Sequence, residues 1–197
     1  MTPQPSVGSN PSRYTLANGL TLLRLLLALP TALALQQGMP WFAAGGFVIA
    51  ATTDYFDGRI ARQRQQSSAF GAIFDHATDA LYVTCVLVAA TALALVPPLL
   101  PALIPVAFLQ YLLDSRALTG QPLRANWLGR WNGVGYFVLG GVAIGLQALA
   151  TVVPLPPGLW LGLWAAGAAL CLTTLLSMAN RALHWWQLRR RSRTPPA

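Results

Sequence analysis

Six nearly continuous apolar stretches, each close to the length of a bilayer-spanning helix, leave this chain few folds to choose from. A transmembrane helix needs about 20 mostly apolar residues, and in hydrocarbon only helices and closed barrels satisfy every backbone polar group. The stretches cover residues 16–35, 40–60, 69–96, 98–113, 133–153 and 157–176, separated by Pro, Gly or Arg. Charged residues make up 9% of the 197, against about a quarter in soluble domains. The expected fold is therefore all-α and integral to the membrane, a bundle of six transmembrane helices over residues 14–182. A polar, Pro-rich lead-in over 1–13, expected to be disordered rather than a secretory signal, precedes it, and a basic tail over 183–197 follows.

The net charge of +8 comes entirely from arginine, since the chain has no lysine. Arg13 precedes the first stretch, and Arg59, Arg62 and Arg64 fall between the second and third. Arg116, Arg124 and Arg130 fall between the fourth and fifth, and Arg181, Arg189, Arg190, Arg191 and Arg193 follow the sixth. The alternate connections carry no charge. The positive-inside rule then puts both termini and the basic connections in the cytoplasm. The charge is read as topology and contact with anionic membrane lipids, not as a nucleic-acid surface. Cys85 and Cys171 lie in apolar runs and are read as small buried hydrophobes. Arg24 falls inside the first stretch. It follows Asn18 and Thr21 at three-residue steps, so the three spiral along one side of a helix. Either Arg24 snorkels to the headgroups or this polar stripe lines a cavity.

Every acidic residue is an aspartate, and four of the five (Asp54, Asp57, Asp75 and Asp79) fall within 26 positions. Spacings of three and four put each pair on one helical face. The polar run over 64–68 can reverse the chain, so two antiparallel helices would bring the pairs opposite each other. A single aspartate at a helix centre costs roughly 2.5–3.5 kcal/mol, so four need compensation. Oxygen-only donors favour a hard ion such as Mg²⁺ or Mn²⁺, and a pair of ions fits a site for attack on a phosphoryl group. Gly58, Ala61 and Gly71 strip bulk from the helix faces beside the carboxylates, which admits a nucleotide close to the backbone. The Gly141 and Gly145 pair is a further candidate for close helix contact.

The pattern Asp-x2-Asp-Gly-x2-Ala-Arg-x8-Gly-x3-Asp-x3-Asp over 54–79 resembles the signature of the CDP-alcohol phosphotransferases at every specified position. The stripe of Asn18, Thr21 and Arg24 is similar to that family's first helix. The resemblance implies a metal-dependent membrane enzyme in a bacterial inner or plasma membrane, with a cytoplasmic-facing active site and a homodimeric assembly. It implies transfer of a phosphatidyl group from CDP-diacylglycerol to a polar alcohol, with release of CMP. Asp54, Asp57, Asp75 and Asp79 would hold two ions, and Asp79 would also be the general base on the acceptor hydroxyl. The CDP moiety would lie against Asn18, Thr21, Asp54, Asp57, Gly58, Ala61, Arg62, Gly71 and Asp75. His76, one residue off the metal face, is read as a supporting or packing residue.

Members with phosphorylated acceptors carry a Gly-Lys-x-Lys element before the fifth helix. Gly129-Arg-Trp-Asn132 is similar to it, with Asn132 in place of the second cation. Arg116, Arg124 and Arg130 are thus candidate ligands of an acceptor phosphate, glycerol 3-phosphate first and inositol phosphate next, with serine a further alternative. Equally, they are ordinary topology charges. Intramembrane aspartates also mark cation or proton pathways, so a transporter is the reading from another class.

Overall fold

The computed structural model describes the backbone over residues 16–63, 69–115 and 127–191, and side chains over 19–56, 71–113, 127–183 and 186. It is all-helical, with no strand among the described residues. The six helices are α1 (Leu16–Gln36), α2 (Pro40–Gln63), α3 (Ala69–Ala92), α4 (Leu99–Ser115), α5 (Trp127–Ala150) and α6 (Pro157–Arg191). Four contain segments long and apolar enough to cross a bilayer: Gly19–Gln36, Gly71–Ala92, Trp127–Ala150 and Pro157–Leu183. The apolar part of α4, Leu99–Leu113, is shorter. The chain is a multi-pass membrane protein.

Two boundaries differ from the hydropathy reading. Helix α5 begins at Trp127, so the Gly129–Asn132 element lies inside its first turns instead of ahead of it. Helix α6 runs 35 residues, through most of the segment expected as a tail. No Gly or Pro interrupts it between residues 169 and 193, and its Ala, Leu, Gln and Arg are good helix formers. Hydropathy marks where a helix leaves hydrocarbon, not where its hydrogen bonds stop.

The packing order is the main departure from expectation. Helix α1 lies along both α2 and α3, while α2 and α3 share no extensive contact among the described residues. The carboxylate-bearing helices therefore pack mainly through α1, while Asp54 still comes opposite Asp75 and Asp79 as expected. Helix α5 closes over α2 and α3, and α6 packs on α4 and α5. Phe47, Tyr82 and Phe137 meet where α2, α3 and α5 converge, with ring centroids 4.5–6.4 Å apart. A Cβ on Gly141 would come within 2.8 Å of the Phe47 ring, whereas one on Gly145 would meet nothing. The expected close contact thus belongs to Gly141 alone. Outward-facing side chains such as Leu26, Phe42, Val138 and Leu161 are exposed, as befits a lipid-facing surface.

The ends of α1 and α3 are closed by the same device. After α1, the Gly38 and Met39 N–H groups donate to the Leu35 and Ala34 carbonyls, with Gly38 at φ 72°. After α3, Ala94 and Leu95 donate to Thr91 and Ala90, with Ala94 at φ 56°. This left-handed cap suits glycine, and alanine there carries a cost of about 1–2 kcal/mol. Ala94→Gly should therefore stabilise the protein by about 1 kcal/mol, less any entropy lost to the freer unfolded chain. A higher midpoint in detergent thermal denaturation checks this; an unchanged or lower one would count against it.

Candidate active site

Arg24 is the largest fully buried side chain in the described structure. A buried guanidinium persists only where acidic groups and hydrogen-bond acceptors surround it. Helix α1 supplies the setting, because it lies between α2 and α3. One terminal nitrogen of Arg24 is 3.1 Å from Asp54 Oδ1 on α2. The other is 3.1 Å from Asp75 Oδ1 on α3 and also bonds Asp79 Oδ1. Its complete burial excludes the snorkelling alternative, and the side chain serves as the hub of an ion cluster. Thr21, one turn earlier on the same face, is likewise buried.

The carboxylates themselves stay partly open, with side-chain exposures of 50% for Asp54, 32% for Asp75 and 40% for Asp79. One oxygen from each lies within 4.8 Å of the others. That spacing and the all-oxygen donor set fit a hard divalent cation, which collects carboxylate oxygens at about 2.0–2.6 Å. The structure thus gathers three of the four expected metal ligands. The side chains of Asp57, Gly58, Ala61, Arg62 and Asn18 lie outside the described residues, although their backbones belong to α2 and α1. Gly71 lies one turn before Asp75 on α3. His76 Nδ1 donates to the Ala72 carbonyl at 3.0 Å, and its ring stacks near Tyr111 at 6.3 Å. It supports the wall of the site and is not among the clustered donors.

Asp54 and Asp79 open onto a cavity of about 640 Å³, walled mainly by α3, α4, α5 and α6. Its inner part is apolar, with Val83, Ile104, Phe108 and Phe137. Polar groups come from Asn132 and Tyr136 on α5 and from Thr174 and Ser177 on α6. Tyr136 and Thr174 share a hydrogen bond between their hydroxyls, and Thr174 also donates to the Leu170 carbonyl at 2.6 Å. Arg130 lines the same cavity; Arg116 and Arg124 lie outside the described residues.

Arg181 is the lining residue that the sequence reading assigned to topology alone. Its guanidinium lies 5.2 Å from the Tyr111 ring centroid. It also rests against the α5 backbone at Gly129, where an added Cβ would collide with its Nη2. Gly129 thus leaves room for the Arg181 guanidinium against α5. The missed signal was spacing: Thr174, Ser177 and Arg181 follow three- and four-residue steps, a polar stripe on an otherwise apolar helix.

A buried arginine between paired aspartates, beside a cavity with two further arginines, gives a geometric frame for comparison with known proteins. The family model described as CDP-alcohol phosphatidyltransferase matches residues 14–188. The chain belongs to that family. Among curated relatives, it is 32% identical over 127 residues to a CDP-diacylglycerol–glycerol-3-phosphate 3-phosphatidyltransferase of Cereibacter sphaeroides, covering 60% of this chain and 58% of the relative. It is 37% identical over 82 residues to the Escherichia coli protein of the same description, covering 40% of this chain and 45% of the relative. The chain thus matches roughly half the length of these relatives. No solved structure matches it.

The polar contact between α5 and α6 generates a stability test. Thr174→Val keeps the shape but removes the hydroxyl that meets Tyr136. Interhelical hydrogen bonds in membranes are worth about 0.6 kcal/mol on average and up to about 1.7, so a loss of about 1 kcal/mol is expected. Comparing thermal midpoints of Thr174→Val and Thr174→Ser measures it, since the serine variant should stay near wild type. Equal losses in both variants would assign the effect to packing.

Proposed function

We propose that this protein transfers the phosphatidyl group of CDP-diacylglycerol to glycerol 3-phosphate and releases CMP. One observation carries the reading: the carboxylate cluster opens onto a cavity that also holds Arg130 and Arg181. The cluster suits the diphosphate end of a CDP-lipid, and the paired arginines suit an acceptor that brings its own phosphate. Free inositol would give two cavity-lining guanidinium groups no anion to bind, and serine would offer one carboxylate beside its own ammonium group, against the doubly charged phosphate of glycerol 3-phosphate. The description shared by the relatives from Cereibacter sphaeroides and Escherichia coli supports the same acceptor.

In this reading Asp54, Asp57, Asp75 and Asp79 hold two divalent ions, Mg²⁺ or Mn²⁺, which neutralise the diphosphate charge when bound. Asn18, Thr21, Gly58, Ala61, Arg62 and Gly71 line the bed for the CDP moiety. Arg130 and Arg181 fix the acceptor phosphate, joined by Arg116 and Arg124 from the neighbouring connection. Asp79 takes the proton from the acceptor hydroxyl as its oxygen bonds to the β-phosphorus. The bond from that phosphorus to the bridging oxygen breaks, and CMP carries the electron pair away. The apolar inner wall keeps water, a competing nucleophile, from the acceptor position.

The same reading has all six helices crossing the bilayer, with both termini and the site at the cytoplasmic face of a bacterial inner membrane. The arginine distribution supports this orientation, because every arginine except Arg24 falls in the terminal segments, in the alternate connections or in the helix segments next to them, all on one side.

Arg130→Gln and Arg181→Gln should each raise the apparent KM for glycerol 3-phosphate about tenfold or more, since a charge-assisted contact is worth about 1.5–3 kcal/mol. The KM for CDP-diacylglycerol should stay within about twofold in the same CMP-release assay. Wild-type protein that accepts only serine or free inositol, with both variants silent, would refute the acceptor. Excess chelator should abolish CMP release, and Mg²⁺ or Mn²⁺ should restore it. Asp79→Asn should lower turnover about a hundredfold while CDP-diacylglycerol still binds. Near-normal turnover would remove Asp79 from the base role, and lost lipid binding would make it chiefly a metal ligand.

A further inference from the structure

We propose that Arg24 is the resident counter-ion of the metal-free site, and that a divalent metal enters by displacing its guanidinium from the carboxylates. The inference rests on reading the cluster as a metal site. It concerns a residue outside the aspartate signature, on a different helix.

Three observations carry it. The Arg24 contacts fall on one oxygen of each clustered aspartate: Oδ1 of Asp54, of Asp75 and of Asp79. Each carboxylate keeps a second oxygen, but a cation that draws on the same three groups, which lie within 4.8 Å of one another, competes with the guanidinium beside it for their negative charge. The side chain is also entirely buried between the flanking helices, so solvent cannot screen repulsion between its charge and an arriving metal. Finally, Arg24 is the only arginine among the described residues paired with these carboxylates, and it offsets one of their three negative charges.

Guanidinium and metal are therefore alternative solutions to one electrostatic problem. With neither present, three partly desolvated carboxylates would repel one another at close range. With both on the same oxygens, two cations would be forced together in a low dielectric. Exchange avoids both states. Arg24 holds α2 and α3 in register while the site awaits metal, and it lowers the affinity for that metal. It is a positioning residue for the carboxylates.

The test uses the full chain in lipid nanodiscs, stripped with chelator, with Mn²⁺ as the probe. Mn²⁺ dissociation constants come from electron paramagnetic resonance, and thermal midpoints are recorded with and without the ion. Arg24→Gln should lower the metal-free midpoint, enlarge the rise produced by Mn²⁺, and tighten Mn²⁺ binding at least tenfold relative to wild type. Arg24→Lys keeps the charge but not the planar fork that spans three oxygens. It should bind Mn²⁺ with an affinity between the other two. If Arg24→Gln folds poorly without metal, the lysine variant and wild type still give the comparison.

Unchanged or weaker Mn²⁺ binding in the variants, with wild type binding normally, overturns the exchange and leaves Arg24 as an organiser whose removal disperses the ligands. Mn²⁺ binding by neither wild type nor variants overturns the metal reading itself, and the inference with it. Unaltered Mn²⁺ affinity with weakened binding of CDP would overturn the proposal in favour of direct contact with the nucleotide.

Discussion

Four charged side chains, one arginine and three aspartates, meet where three helices of a membrane protein converge, and the rest of the bundle is arranged around that fact. Unpaired at the bilayer centre they would cost on the order of 10 kcal/mol together, comparable with the whole stability of a typical domain. Two features lower the cost. Arg24 pairs with all three carboxylates, and the carboxylates keep partial access to the open side of the cluster. Helix α1 has to lie between α2 and α3 for this to work, since only there can one guanidinium reach both. The aromatic contact of Phe47, Tyr82 and Phe137, closed by the gap at Gly141, then holds α5 over the pair.

The second half of the bundle builds a cavity against the ion cluster. Helices α4, α5 and α6 add apolar side chains and buried polar groups to the carboxylates of α2 and α3. Cationic groups line it from helices distant in sequence, Arg130 from α5 and Arg181 from α6, with the missing side chain of Gly129 leaving room for Arg181.

Much of this was legible in the linear chain. The six apolar stretches forecast six helices to within a few residues at most ends, because hydrocarbon allows no other use of such segments. The aspartate spacing forecast a shared site, and Asp54, Asp75 and Asp79 do converge. Arg130 was found from its place near the start of α5. Arg181 was not, because an arginine that follows an apolar stretch satisfies topology on its own and gives no sign of a second role. The helical continuation of α6 was hidden similarly, since hydropathy falls off before helix propensity does.

The sequence alone determined the class of fold, the chemical character of the site and the family signature, since these depend on residue type and short-range spacing along a helix. Tertiary structure alone decided which helix lies between α2 and α3, that Arg24 is the carboxylates' counter-ion, and that Arg181 lines the same cavity as Arg130. The two arrangements of α2 and α3, face to face or divided by α1, have identical hydropathy and identical motif spacing. They differ in whether a buried positive charge reaches the negative ones, and that depends on distances between segments 30 to 55 positions apart. No local pattern encodes those distances; the cost of leaving a charge unpaired in a low dielectric selects them.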